Sequence, residues 1–234
     1  LGMLTPSSNT VLEPYTAAML ADVPGVSAHF GRFRVTQISM DADAQAQFTL
    51  EPMLAAADLL GGSKVDAICW NGTSAGWLGF EQDEALCAAI TERTGVAACS
   101  AVLGINALFE RRGVKKFGLV SPYTDEIQDQ IISNYASHGW RCTADRRLHI
   151  TENFAFATVP EATIDRLCRE MAETGPDAIV VYCTNMAGAR IADQIERDTG
   201  IPVLDSTAAA LWTSLRTAGA DPTAVKGWGS LFES

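Results

Sequence analysis

The sequence predicts an α/β protein built from two similar lobes, Rossmann-like or flavodoxin-like, whose parallel sheets are related by a pseudo-two-fold with the active site in the cleft between them. Two observations carry this. Short apolar runs alternate with patterns of helical period along the whole chain, the grammar of parallel βαβ units. In addition, the chain repeats itself in three places. DAICWNGTSAG (66–76) resembles DAIVVYCTNMAG (177–188), GMLTPS (2–7) resembles GLVSPY (118–123), and TGVAACS (94–100) resembles TGIPVLDS (199–206). The partners stand about half a chain apart and keep the same order, which points to a duplication.

The elements follow in order. Strands are expected at 1–5, 26–34, 65–70, 96–98, 117–121, 140–148, 178–183 and 201–204, each bounded by Gly, Pro, Asp or Ser. Residues 43–61 place Phe48, Met53, Leu54, Leu59 and Leu60 on a broad helical face. Residues 124–137 open on a Thr-Asp-Glu start signal, and 160–174 carry Ile164, Leu167, Cys168 and Met171 at helical spacing. A further helix is expected from about Met186 to Asp198. The duplication divides the chain into 1–100 plus 211–234 for one lobe and 101–210 for the other.

Composition narrows the function. With 234 residues, 47% of them apolar and 19% charged, the chain can bury a substantial core. A net charge of −11, with basic residues scattered apart from short pairs, argues against a nucleic-acid partner. No apolar run reaches the roughly 18 residues of a membrane span. The chain opens on LGMLTPSSNT without a Met, so we expect residues before Leu1, and no secretory pattern opens it. The six cysteines include no C-x-x-C pair and fit reduced thiols in a cytoplasmic protein. His29, His138 and His149 do not lie at ligand spacing, so no metal is expected. Phosphate-binding glycine loops and a G-x-S-x-G elbow are absent from the sequence. The expectation is thiol chemistry without a cofactor, on a small dicarboxylate.

In parallel sheets, ligands sit beyond the carboxyl ends of the strands. The loops TPSSN, NGTS, SPYT and CTN all fall there, and the duplication sets NGTS opposite CTN across one cleft. Gly72 and Cys183 then become the two equivalent positions of a single site. Cys183 precedes the expected helix at 186–198, whose dipole should lower the thiol pKa. Cys69, Cys87, Cys99, Cys142 and Cys168 are expected in the core. Thr73, Ser74, Thr184 and Asn185 supply donors able to hold an anion, or simply to cap helices. Tyr123 can add its phenol to the same oxygens or pack as an aromatic. Gly72 is expected to leave room for a departing carboxylate or a substituent, unless the turn needs a positive φ.

These loops resemble the Asp/Glu racemase superfamily, which includes aspartate, glutamate and hydantoin racemases, maleate cis-trans isomerases and arylmalonate decarboxylases. Its racemases and isomerases carry a cysteine on each loop, whereas its decarboxylases keep only the second. GTS at 72–74, YCTN at 182–185 and the ending GWGSLFES at 227–234 are similar to the decarboxylase branch. That resemblance implies a dioxyanion hole of Thr73, Ser74 and Tyr123, helped by Thr184. It implies Cys183 as the acid that protonates an enediolate after CO₂ departs, with Pro6 and Ser7 lining the cleft. PSSN at 6–9 and TENFAF at 151–156 are similar instead to the isomerase branch, where Asn9 and Asn153 would grip carboxylates. A substituted malonate is thus the expected substrate, with cis-trans isomerisation or racemisation as the alternative. A carboxylate-binding protein without turnover is the third possibility.

Overall fold

The computed structural model describes residues 1–38, 40 and 50–234. The first lobe runs β1 (Gly2–Pro6), α1 (Leu12–Leu20), β2 (His29–Phe33), α2 (Leu50–Gly61), β3 (Ile68–Trp70), α3 (Ala75–Leu78), α4 (Phe80–Thr94) and β4 (Ala98–Ser100). Helix α5 (Ala101–Arg112) leads to the second lobe. There follow β5 (Lys116–Ser121), α6 (Asp125–Ser137), β6 (Arg141–Arg147), α7 (Asn153–Phe156), α8 (Glu161–Ala172), β7 (Ala178–Val181), α9 (Ala189–Thr199), β8 (Val203–Asp205) and α10 (Ser206–Thr217). Two 3₁₀ turns, Pro222–Ala224 and Ser230–Glu233, close the chain.

The sheets have the same order, β2-β1-β3-β4 and β6-β5-β7-β8, and every strand pair is parallel. Central strands are covered by helices on both faces, so they are apolar throughout: β1, β3 and β7 are wholly buried. The edge strand β6, RCTADRR, is only partly covered and carries charge, which discourages pairing with another chain. Strand order reverses between β1 and β3, and again between β5 and β7. Each reversal opens a crevice at the carboxyl ends of those two strands.

Register follows the duplication. Leu4 pairs with Trp70 in the first sheet and Val120 with Val181 in the second, as the echoed segments require. The TG echo is also structural: Gly95 and Gly200 each cap a helix in the left-handed region at φ 72°, where a Cβ is disfavoured. Helix α10 then leaves the second sheet and packs against α5, β3 and β4. The ending anchors it. Leu231 and Phe232 are buried, the Ser230 N–H donates to Glu196 (2.7 Å), and Arg112 donates to Ser234 (2.6 Å).

Two details differ from the sequence reading. Leu59 was expected on the buried face of its helix but is 79% exposed, while Met53, Leu54 and Leu60 face the core. Adjacent residues lie about 100° apart around a helix, so Leu59 and Leu60 cannot share a narrow buried stripe. The expected start of that helix, with Phe48, lies outside the described residues. The helix after Cys183 begins at Ala189 rather than Met186, because residues 184–188 are spent on turns tying the lobes together.

Candidate active site

The two crevices meet. Asn9, at the end of β1, donates its amide to the Thr184 carbonyl (3.1 Å) and hydroxyl (3.2 Å). The Asn185 side chain accepts from the Thr10 N–H (2.9 Å) and donates to the Asn153 carbonyl (2.6 Å). Thr184 in turn donates to the Asn71 carbonyl (2.9 Å). These bonds join the βα loops of both lobes and fix the walls of a small buried cleft.

Pro6, Gly72, Thr73 and Ser74 line the cleft from the first lobe, and Tyr123, Asn153, Cys183 and Thr184 from the second. Of the residues anticipated from sequence, Ser7 and Asn9 are not on this wall. Ser7 is exposed, and its hydroxyl is occupied with the Val35 backbone. The Asn9 carbonyl oxygen caps α1 by accepting from Val11 (3.0 Å) and Leu12 (2.9 Å), so the whole amide is engaged in structure. Asn153 does reach the cleft, with its amide donating to Ser8 (2.9 Å). The remaining walls, Val35, Ile38, Trp70, Trp77 and Phe156, are largely apolar and were not anticipated.

Tyr123 shares a 2.6 Å hydrogen bond with Thr73, linking the two lobes through the site. Its ring is wedged edge-on between Trp77 (5.3 Å) and Phe156 (5.6 Å), which fixes where the phenol points. Cys183 is 3% exposed. Burial pushes its thiol up to about 12, against the lowering effect of the Asn185 N–H (3.4 Å) and Tyr123. The expected lowering by a helix dipole fails for two reasons. Desolvation of a thiolate outweighs a partial charge, and α9 starts six residues beyond the sulfur. Cys69, Cys87, Cys99 and Cys168 are buried elsewhere in the core, and Cys142 is half-buried on an edge strand.

Gly72 also has a different reason from the one expected. Its φ is not positive, and the space beside it is filled: a Cβ at Gly72 would overlap the indole of Trp70. Trp70 is the last residue of β3 and Gly72 follows it by two in the loop, within reach of the indole. That short spacing is the available signal in the sequence, which reads Trp70 only as strand.

Among the described residues, no group of three His, Cys, Asp or Glu side chains is arranged to hold a metal ion. No helix there is long and apolar enough to cross a membrane. What the site offers is one protonated thiol facing a set of hydroxyl donors, in a cavity of about 20 Å³.

Paired parallel α/β lobes with a thiol between their strand-end loops are the architecture of the Asp/Glu racemase superfamily. Within it, the chain belongs to the arylmalonate decarboxylase family, whose model matches residues 1–232. It is 29% identical over 240 residues to the arylmalonate decarboxylase of Bordetella bronchiseptica, covering all of this chain and 96% of that one. It is 24% identical over 245 residues to the maleate isomerase of Nocardia farcinica, covering 99% and 94%. Among solved structures, a maleate isomerase of Nocardia farcinica with a covalently bound succinylcysteine superposes with a TM-score of 0.89. The identity is 21%, over 99% of this chain and 96% of that one. An arylmalonate decarboxylase superposes at 0.80 with 25% identity, over 99% and 98%. The protein is an enzyme of this decarboxylase and maleate isomerase family.

Proposed function

We propose that the protein decarboxylates a substituted malonate-type diacid without a cofactor, using Cys183 as the proton donor. The observation that carries this reading is the inequality of the two loop positions. A single thiol, Cys183, faces the cleft, and the equivalent position is closed by Trp70 over Gly72. Chemistry that needs a second thiol on the opposite face of the substrate has no place for it.

One carboxylate of the diacid is held by Thr73, Ser74, Tyr123 and the Thr184 loop. The other lies toward the apolar walls, where a charge is poorly solvated and neutral CO₂ is not. When the C–C bond breaks, its electron pair passes to the α-carbon and spreads onto the retained carboxylate. The hydroxyl donors stabilise the resulting enediolate. The Cys183 S–H then gives its proton to the α-carbon from one face, and the thiolate recovers a proton from water. A thiol raised to about 12 is protonated at rest and needs no activation to serve as this acid.

Maleate isomerisation is the second reading, favoured by Asn153 on the cleft wall and by the maleate isomerases among the relatives. It asks for a thiolate as nucleophile, which the burial of Cys183 disfavours. Proton NMR in D₂O separates the readings, with methylmalonate, phenylmalonate, maleate, and D- and L-aspartate each presented to the wild type and to Cys183→Ala. The expected result is loss of CO₂ with one deuterium gained at the α-carbon, slowed roughly 10²–10⁴-fold in Cys183→Ala. Conversion of maleate to fumarate, or α-proton exchange without CO₂ release, would replace this reading with isomerisation or racemisation. A protein that binds a diacid equally well in both forms and turns over none would be a carboxylate-binding module.

A further inference from the structure

Trp70 lines two cavities. One is the cleft with Cys183, about 20 Å³. The second, of about 190 Å³, is lined also by Leu50, Met53, Leu78, Leu86 and Gln82, with Ser74 shared between the two. An apolar cavity of about 150 Å³ is enough to hold a benzene ring, so this second space is aryl-sized. At its polar edge stands Asp83, buried, with one carboxyl oxygen lacking a partner among the described residues. Trp70 is itself 1% exposed and is packed on Phe33 at 5.2 Å, so the partition is held in place.

The second lobe shows the alternative. There Val181 occupies the register position of Trp70, and Cys183 the position of Gly72. A small side chain on the strand leaves space for the thiol two residues later. A large one removes it.

We propose that Trp70 is the specificity-determining residue of this enzyme. Its indole excludes a second thiol from position 72, and it walls off the aryl-sized cavity so that the space beside Cys183 favours the smaller of two substituted diacids. The glycine at position 72 is then a consequence of the tryptophan. The substituent preference rests on the decarboxylase reading, whereas the coupling of residues 70 and 72 does not.

The test has two arms. In the first, thermal unfolding is measured for Gly72→Cys, Trp70→Val and the double variant. Gly72→Cys is expected to lower Tm by about 10 °C in the native background and by about 2 °C with Trp70→Val present. Equal losses in both backgrounds would overturn the coupling. In the second, calorimetry measures methylmalonate and phenylmalonate binding to Cys183→Ser, with and without Trp70→Val. Phenylmalonate is expected to bind at least about 10-fold tighter once the indole is removed, with methylmalonate changed less than about 3-fold. Parallel changes for both ligands, or no change, would overturn the size-selection role. If Trp70→Val does not fold, Trp70→Leu removes the same ring with less loss of volume. A wild type that releases no CO₂ from either diacid, with both arms as expected, would uphold Trp70 and overturn only the decarboxylase reading.

Discussion

The two lobes share strand order, register and helix caps, yet they present opposite surfaces to the cleft. At the end of β7 the sequence V-Y-C-T puts a thiol two residues after Val181; at the end of β3, W-N-G-T puts the Trp70 indole where a side chain at position 72 would be. The neighbouring loops diverge in the same sense. Tyr123 in the second lobe reaches across to Thr73 and shares the cleft wall with Cys183, whereas its echo in the first, Ser7, is exposed and bonded to the Val35 backbone. One lobe therefore presents a thiol and a phenol to the cleft, and the other presents a wall and hydroxyls. On the proposed decarboxylase reading, this is how a duplicated fold becomes a one-sided catalyst: a change of side-chain volume at one strand position removes the symmetry of the chemistry while the backbone stays equivalent.

Placing the first lobe's wall in the second should break that division most completely. Val181→Trp is expected to press an indole into the Cys183 space and lower kcat more than about 100-fold. It should also destabilise the fold by about 1–3 kcal/mol through overpacking. Steady-state rates alongside urea unfolding measure both, and a folded Val181→Trp protein with near-native kcat would refute the equivalence of the two positions. A smaller effect is expected from Tyr123→Phe, which keeps the ring between Trp77 and Phe156 but removes the bond to Thr73. We expect a loss of about 10-fold in kcat, the size of one hydrogen bond of roughly 1.4 kcal/mol to the developing enediolate.

The thiol itself gives a sharper pH test. With Cys183 raised to about 12, the thiol form is constant across neutral pH, so the contribution of this acid to kcat should be flat from pH 6 to 9. Alkylation of Cys183 by iodoacetamide should instead rise about 10-fold per pH unit without a plateau in that range. A plateau near pH 7 would mean a thiolate at rest and would favour the isomerase chemistry.

Much of this was legible in the residues. Among the described residues, each expected strand region contains or overlaps an observed strand, and the paired echoes fall at matching places in the two sheets, Leu4 beside Trp70 and Val120 beside Val181. What escaped depended on the third dimension. The Asn9 amide sits at the end of β1 as anticipated, but its partner Thr184 is 175 residues away, so its use as a tie between the lobes has no local signal. The Cys183 pKa was misjudged because neither the burial of the thiol nor the turns that delay α9 to Ala189 have a local signal in the sequence. Gly72 was placed correctly and explained wrongly, since the ring that fills its space belongs to a residue that reads as ordinary strand core.

The same comparison reaches two buried acids. Counting back from the caps Gly95 and Gly200, Asp83 corresponds to Gly188; counting forward, Ser100 corresponds to Asp205. In the first lobe the carboxyl comes from helix α4, and one of its oxygens has no partner among the described residues. In the second it comes from the end of β8, and a Cβ on Gly188 would lie 2.7 Å from the Asp205 oxygen. Each lobe thus holds one carboxyl between helix and strand end, delivered from opposite sides. Burial raises both to about 7, from roughly 3.9 in an unfolded chain. A group raised on folding stabilises the protonated protein, so its contribution is full below pH 4 and declines as pH rises through 7. Between pH 5 and 8 these two groups should therefore each withdraw about 2.6 kcal/mol of stability and together lower Tm by roughly 10–20 °C. Asp83→Asn, which cannot ionise, should remove about half of that slope, and Asp205→Asn should do the same while its amide oxygen still caps α10. Differential scanning calorimetry across that range tests the pair. A slope unchanged by either substitution would show that both carboxyls are ionised at neutral pH, and that the lobes differ in how they solvate a charge rather than in where they place it.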